Sequence, residues 1–127
     1  MTLNSKQLVA EADGATERLT PADAARLVGD ADTVFVDVRD LSEREKSGTI
    51  QGAVHVPRGL LEFKADPDSP AHEKALSSGK RLVLFCASGG RAALAAKTLK
   101  DAGIDRVAHV SGGGFEALKA ANAPTMP

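Results

Sequence analysis

The residues best suited to chemistry lie in the segment LFCASGGRAALAAKTL, residues 84–99. It holds the only cysteine of the chain, Cys86, which ends an apolar run and is followed by two glycines and Arg91. A cysteine thiolate is a strong nucleophile. Because one cysteine cannot form an intramolecular disulfide, Cys86 is predicted to be a free thiol, as is typical of the reducing cytoplasm.

The residues that follow Cys86 are suited to stabilising a negatively charged sulfur. Gly89 and Gly90 permit a tight turn in which successive backbone N–H groups converge on one atom. Arg91 then opens a predicted helix, whose N-terminus carries partial positive charge. A cysteine at the end of a strand can also be a small buried core residue. The combination of cysteine, glycine turn, arginine and helix start favours the catalytic interpretation.

The elements that must position this loop follow from the apolar pattern. Near-continuous apolar runs at 33–38, 81–86 and 106–110 predict strands buried on both faces, and 53–56 predicts a shorter one. Helical patterns lie between them, including residues 90–103 and a last helix at 114–122. This alternation predicts an α/β fold, with a central parallel sheet flanked by helices on both faces.

One helix carries clear boundary signals. In LTPADAARLVG, Thr20 can cap the N-terminus, Pro21 suits the first helical position and Asp23 can complete a capping box. Gly29 is expected to end this helix.

The length fits one domain over residues 1–127, with its core at about 18–125. Residues 1–17 are expected to form an N-terminal helical extension. Residues 60–80, rich in Pro, Asp and Ser, are expected to be a loop-rich excursion with short helices, either a lid or a spacer. Residues 123–127 are expected to fray.

Composition argues against two classes of partner. Sixteen basic and seventeen acidic residues are interleaved, and the chain has no Trp or Tyr, so no nucleic-acid surface is expected. The longest apolar run has six residues, and the N-terminus lacks the pattern of a signal peptide. No membrane association is expected, and a cytoplasmic location is predicted.

The chain resembles the single-domain rhodanese-like sulfurtransferases over nearly all of residues 18–125. The resemblance is carried by FVDVRDLSEREKSGTIQGAVHVP, CASGGRAALAAKTLKDAGIDRV and VSGGGFEALKAANAP. It implies a rhodanese-like fold and an enzyme of the thiosulfate:cyanide type. In this family Cys86 would take sulfane sulfur from thiosulfate, polysulfide or a persulfide-carrying protein, hold it as a persulfide, and pass it to a thiol or cyanide. The resemblance implies no cofactor and no metal.

The same resemblance implies a binding loop whose backbone amides surround the sulfur. Its residues are Ala87, Ser88, Gly89, Gly90 and Arg91. Cysteine phosphatases and the related arsenate reductases have a longer loop between nucleophile and arginine, with room for a tetrahedral oxyanion, whereas CASGGR has four intervening residues. The shorter loop suits one sulfur atom better. A phosphatase or arsenate reductase of related fold, and a non-catalytic interaction module, remain the alternatives.

Three departures from the family pattern stand out. GTIQGA replaces the usual GHIPGA, and Leu118 replaces an aromatic residue in the last helix; both are expected to affect packing. Ala87 stands where members specialised for thiosulfate often carry a basic residue. We therefore hypothesise that dianionic thiosulfate is a poor donor.

Other charged residues have two interpretations each. Arg91 can grip an anionic donor or pair with an acidic residue that locks the loop. Asp37 and Arg39 follow a strand and are expected to form an ion pair that supports neighbouring loops rather than to act directly. Arg58 can face the pocket or, as favoured, water.

The remaining motifs predict no further chemistry. His55, His72 and His109 lack the spacing of a metal site and are expected to be structural or surface residues. No motif pairs a histidine with Cys86. Residues 111–115, SGGGF, lack the lysine and spacing of a P-loop. They are expected to form a tight strand-to-helix turn near the Cys86 loop.

Overall fold

The computed structural model describes residues 2–127; Met1, the first residue of the predicted extension 1–17, lies outside this range. The strands are β1 (Glu17–Leu19), β2 (Thr33–Asp37), β3 (Thr49–Ile50), β4 (Val54–His55), β5 (Arg81–Phe85), β6 (Val107–Val110) and β7 (Thr125–Met126). The α-helices are α1 (Ser5–Ala15), α2 (Pro21–Ala25), α3 (Leu41–Ser47), α4 (Leu61–Ala65), α5 (Gly90–Asp101) and α6 (Phe115–Ala120). Two 3-10 helices span Arg58–Leu60 and Lys74–Ser77.

A parallel five-stranded sheet forms the centre of the fold, in the order β1-β6-β5-β2-β4. Two apolar clusters cover its faces. One includes Leu82, Leu84 and Leu99 of α5, and the other includes Phe85 and Leu118 of α6. The predicted α/β class, with helices on both faces of a parallel sheet, is confirmed. Because β5 lies in the middle of the sheet, its carboxyl end is the best-supported position at that edge.

Helix α2 begins as predicted and ends earlier. Thr20 caps it, with its Oγ1 accepting the Asp23 N–H at 3.1 Å, and Pro21 occupies the first turn. The Asp23 carboxylate binds Arg26 at 2.6 Å and does not complete a capping box. The helix ends at Ala25, and turns continue to Gly29, whose φ is +87°. The predicted end at Gly29 was therefore wrong by one turn.

The prediction that residues 123–127 fray was wrong. Thr125–Met126 pairs antiparallel with Thr49–Ile50, and the Gln51 N–H donates to the Pro124 carbonyl at 2.9 Å. A two-residue strand is too short to show an alternating pattern, so this pairing could not be predicted from the order of residues.

The N-terminal segment packs on the core through helix α1 and the unpredicted strand β1. A polar contact connects α1 to the centre of the sheet: His109 of β6 is fully buried, and its Nε2 lies 2.8 Å from an Asp13 carboxylate oxygen. Its Nδ1 lies 3.1 Å from Thr16 Oγ1, which donates to the Ala12 carbonyl at 2.7 Å. The apolar pattern around His109 does not predict this contact, because Asp13 and Thr16 lie more than ninety positions earlier in the sequence.

The excursion at 60–80 packs along helix α5. Leu61 and Leu76 are buried in the cluster that contains Leu99. A cavity of about 360 Å³ separates the excursion from the second half of α5, and Thr98 and Ile104 line it. The segment thus borders the end of α5 opposite the Cys86 loop. Among residues 2–127, no helix combines the length and apolar character needed to cross a membrane.

Candidate active site

Cys86 directly follows β5, at the carboxyl end of the middle strand. The residue is 1% exposed, and its Sγ accepts a hydrogen bond from the Gly89 backbone N–H at 3.0 Å. Gly89 has a φ of +109°, a left-handed conformation that glycine adopts at little cost. This turn brings the start of α5, with its unpaired N–H groups, next to the sulfur. Of the predicted binding loop from Ala87 to Arg91, Gly89 is the residue whose backbone N–H donates to the Cys86 sulfur.

A second glycine-rich turn, residues 111–114, supports the Cys86 loop from the neighbouring strand β6. The Phe115 N–H donates to the Cys86 carbonyl at 2.8 Å. Gly114 is buried so closely against this loop that a Cβ atom there would lie 2.1 Å from the Cys86 carbonyl oxygen and 2.4 Å from that of Ala87. The turn lies beside the Cys86 loop, as the SGGGF motif predicted.

Substituting Gly114 is expected to displace the Cys86 loop. In Gly114→Ala the added methyl group overlaps two backbone carbonyls, so we expect a loss of about 1–3 kcal/mol in the free energy of unfolding. We also expect a loss of about tenfold or more in the rate of Cys86 alkylation or turnover. Urea unfolding and iodoacetamide kinetics measure the two effects. The matched control is Gly59→Ala, since Gly59 has no atom within 4 Å of the corresponding Cβ position. Equal behaviour of the two variants would contradict the prediction.

Arg91 forms a bidentate ion pair with Glu43 of α3. Arg91 Nη1 donates to Glu43 Oε1 at 2.6 Å, and Arg91 Nη2 donates to Glu43 Oε2 at 3.0 Å. The Asp40 N–H also donates to Glu43 Oε1, at 3.2 Å, and so orients the carboxylate. Of the two interpretations of Arg91, the structure shows the pairing with an acidic residue.

The ion pair with Arg91 keeps the Glu43 carboxylate ionised at neutral pH and well below it. The hydrogen bonds from Arg91 lower the pKa of the Glu43 carboxyl from 4.5 to about 2. Because the folded-state pKa lies below the unfolded-state value, the pair stabilises the fold above about pH 4.5. This contribution is lost as the pH falls through about 2.

Asp37 and Arg39 form the predicted ion pair, and both are buried. Arg39 Nε donates to Asp37 Oδ1 at 3.0 Å, and Arg39 Nη2 donates to Asp37 Oδ2 at 2.8 Å. Thr49 Oγ1 donates to Asp37 Oδ2 at 2.8 Å, and Arg39 also donates to the Gly48 carbonyl at 2.6 Å. The guanidinium lies over the Phe115 ring, 4.4 Å from its centroid. The pair therefore joins the end of β2 to β3 and to the helix beside the Cys86 loop.

A cavity of about 170 Å³ lies beside Ala87. Charged groups of both signs line it together with one aromatic ring. The lining residues are Arg39, Glu43, Lys46, Ser47, Ala87, Phe115 and Glu116. Cys86 does not line this cavity, which therefore lies next to the nucleophile on the Ala87 side of the loop.

Arg58 and the histidines contact residues outside this loop. Arg58 Nη1 donates to Glu62 Oε1 at 3.0 Å, and Arg58 Nη2 donates to Thr98 Oγ1 at 3.3 Å. His55 Nε2 lies 2.7 Å from the Arg39 carbonyl. His72 Nε2 lies 3.0 Å from a Ser77 hydroxyl, within the excursion. Across residues 2–127, no three His, Cys, Asp or Glu side chains are grouped to hold a metal ion.

Sequence reasoning missed Glu43 as part of the site. Asp40 and Glu43 have the spacing of a capping box, which predicts a helix start there. This signal gives no indication that Glu43 also reaches Arg91, 48 positions further along the chain. Thr49 and Phe115 were missed as partners of the buried ion pair for the same reason.

Comparisons with known proteins agree with this fold. A family model described as "Rhodanese-like domain" matches residues 20–121. A solved structure from Rhodopseudomonas palustris, described as a protein of unknown function and possible tyrosine phosphatase, has a TM-score of 0.93 and 43% identity. The match covers 99% of this chain and 96% of that one.

A polysulfide-sulfur transferase homodimer from Wolinella succinogenes has a TM-score of 0.70 and 29% identity, covering 95% of this chain and 85% of that one. Among curated relatives, a tRNA uridine(34) hydroxylase from Salmonella newport is 27% identical over 117 residues, or 92% of this chain. The chain spans about a third of the length of that relative, at 33%.

Proposed function

Because the chain belongs to the rhodanese-like domain family, we propose that it is a sulfurtransferase that carries sulfane sulfur on Cys86. The observation that carries the proposal is the position of the Cys86 sulfur. It directly follows the middle strand of the sheet and accepts the Gly89 N–H at 3.0 Å, at the glycine turn that precedes helix α5. A sulfur anion held by backbone dipoles in this way is stabilised as an oxyanion is in other enzymes.

The proposed reaction has two displacement steps. The Cys86 thiolate attacks the sulfane sulfur of a donor, and a new S–S bond forms. The old bond to that sulfur breaks, and its electron pair leaves with the donor remnant, which is sulfite when the donor is thiosulfate. A thiol or cyanide then attacks the outer sulfur of the persulfide. The products are a persulfide or thiocyanate and the regenerated Cys86 thiolate, with no net oxidation.

The site as built argues for a donor other than thiosulfate. Ala87, on the exposed side of the loop, brings no positive charge to the sulfur. Polysulfide or a persulfide, free or carried on a protein, is therefore the proposed natural donor. Saturation by micromolar thiosulfate would contradict this choice.

The remaining partners follow from the chemistry of the chain. A thiol or cyanide is the proposed acceptor, with no cofactor. A free thiol as nucleophile suits the cytoplasm, which is the proposed location. The name of the Salmonella newport relative includes tRNA, yet the proposal includes no nucleic acid, because this chain has interleaved charges and a formal net charge of -1.

Phosphate-ester hydrolysis is the second candidate, favoured by the description of the Rhodopseudomonas palustris protein as a possible tyrosine phosphatase. Two features of this chain oppose it. CASGGR has four residues between Cys86 and Arg91. The Arg91 fork is also occupied by Glu43, so it does not face the loop as a free phosphate ligand.

The test is to incubate the purified protein separately with thiosulfate, with polysulfide and with an aryl phosphate. Intact mass, read before and after a reductant, is expected to show a reductant-sensitive gain of one sulfur atom. The gain is expected to be larger with polysulfide than with thiosulfate, and the aryl phosphate should stay intact. Hydrolysis of the phosphate without any sulfur adduct would favour the second candidate. No adduct and no hydrolysis would favour a non-catalytic interaction module.

A further inference from the structure

We infer that Glu43 determines donor specificity at this site, by cancelling the charge of Arg91 so that donors less negative than thiosulfate are favoured. The inference rests on the proposed sulfurtransferase function and identifies the residue that selects its substrate. Glu43 acts through Arg91 and is therefore a positioning residue. The favoured donor class is the persulfide of a thiol, which carries one negative charge where thiosulfate carries two on one compact ion. An inorganic polysulfide also carries two charges, but they lie at opposite ends of its sulfur chain, so it presents one charge to the loop at a time.

Glu43 occupies both terminal nitrogens of the Arg91 guanidinium. Both carboxylate oxygens accept from the two terminal nitrogens, at 2.6 and 3.0 Å. This parallel arrangement is the one by which arginine binds anions such as carboxylates and phosphates. Since Glu43 is itself held by the Asp40 N–H, a sulfonate group would have to displace an oriented internal partner.

Arg91 lies in the first turn of helix α5, two residues after Gly89, whose N–H donates to the Cys86 sulfur. The hydrogen bond to Glu43 is the main cause that raises the pKa of the Arg91 guanidinium, and the charge of Cys86 adds to it. Both side chains of the pair are partly exposed, at 37% for Arg91 and 32% for Glu43. A guanidinium released from Glu43 would thus be available to a donor that approaches Cys86.

The other positive charges near the loop are also matched by negative charges. The buried Asp37 neutralises Arg39, which lines the cavity beside Ala87. Lys46 and Glu116 line the same cavity with opposite charges. With the Glu43–Arg91 pair, these side chains carry three positive and three negative charges, and Asp40 adds a negative charge near Arg91, so the site has no excess of positive charge. A dianion gains little from such a site while it gives up its hydration.

The lack of excess positive charge is expected to slow the reaction with thiosulfate more than the reaction with a thiol persulfide. The thiosulfate reaction places the negative charge of the departing sulfite beside the loop, in addition to the charge of the Cys86 persulfide. A thiol persulfide donates its outer sulfur and leaves as a thiolate with one charge. Freeing one cation is therefore expected to favour the dianion over the monoanion, by on the order of tenfold at the partly screened distances of a protein surface.

The test compares Glu43→Gln with the wild type and with a matched control, Glu62→Gln. Glu62 pairs with Arg58 at 3.0 Å on helix α4 and does not contact Arg91. For each protein, the rate of Cys86 persulfide formation is measured against the concentration of thiosulfate and, separately, of mercaptoethanol persulfide. The thermal unfolding midpoint is recorded for each.

In Glu43→Gln, the KM for thiosulfate is expected to fall by on the order of tenfold, and the KM for mercaptoethanol persulfide by less than about threefold. The gain with thiosulfate should shrink as the ionic strength rises, because salt screens the released charge. The double variant Glu43→Gln with Arg91→Gln should lose the gain, because it removes the released cation. Glu62→Gln should match the wild type with both donors.

A Glu43→Gln protein whose preference between the two donors is unchanged would overturn the inference. So would an equal loss of rate with both donors, since that result would show that Glu43 serves only to hold the loop. In both cases the wild type still forms a persulfide, so the proposed function stands. If the wild type forms no persulfide with either donor, the proposed function fails, and the inference fails with it.

Discussion

Replacing Cys86 with serine is expected to abolish sulfur transfer. A serine hydroxyl is not ionised at neutral pH and cannot form the persulfide, so turnover should fall by more than about a thousandfold. The substitution preserves the shape of the site, because a hydroxyl oxygen can accept the Gly89 N–H that Sγ accepts at 3.0 Å. The free energy of unfolding should therefore change far less than the activity.

The chain makes this experiment unusually direct. Cys86 is its only cysteine, so the variant contains no thiol. Intact mass after incubation with a sulfur donor should show no adduct, while the wild type treated in parallel gains one sulfur atom. Circular dichroism and urea unfolding check that the variant is folded. A sulfur adduct on folded Cys86→Ser, or residual turnover above about one per cent of wild type, would contradict the assignment of Cys86 as nucleophile.

Removing Arg39 is expected to produce the largest loss of stability. In Arg39→Ala the carboxylate of Asp37, which is 0% exposed, loses its charge partner and two of its hydrogen bonds. An uncompensated buried charge of this kind costs about 3–5 kcal/mol. The Phe115 ring would also lose the guanidinium that lies over it. Urea unfolding measures the loss.

Two further variants separate the buried charge from the simple loss of an arginine. Arg26→Ala removes an exposed arginine, also paired with an aspartate, and should cost less than about 1 kcal/mol. Arg39→Lys keeps the positive charge but loses the two-pronged guanidinium that binds Asp37. Its loss in the free energy of unfolding should therefore lie between the losses of Arg26→Ala and Arg39→Ala. A loss within about 1 kcal/mol for Arg39→Ala would show that Asp37 finds other compensation.

The fold was predictable because its three inner strands, β2, β5 and β6, are largely buried on both faces. The runs at 33–38 and 81–86 are nearly continuous in apolar residues, interrupted by Thr33, Asp37 and Arg81. This pattern is typical of parallel sheets and alternates with helical segments here. The place of the site was predictable for a related reason. A lone cysteine that ends such a run and precedes two glycines must lie at the carboxyl edge of the sheet.

The partners of the site residues were not predictable in the same way. Glu43 reaches Arg91 across 48 positions, and His109 reaches Asp13 across 96, so no local pattern relates them. The role of Gly114 depends on the approach of a separate turn to Cys86. Such contacts are set by how elements pack, and a single sequence records them only as residue types compatible with several packings.

The order of the sheet places its shortest strands at the edges. Glu17–Leu19 and Val54–His55 have three and two residues, while the five-residue strands β2 and β5 lie inside. An edge strand exposes unpaired backbone groups that can template aggregation. Here the edges offer few such groups. If the segment that contains α1 and β1 were lost, the apolar strand Val107–Val110 would become an edge. By pairing with β6, strand β1 of the N-terminal segment keeps Val107–Val110 from pairing with the sheet of another molecule.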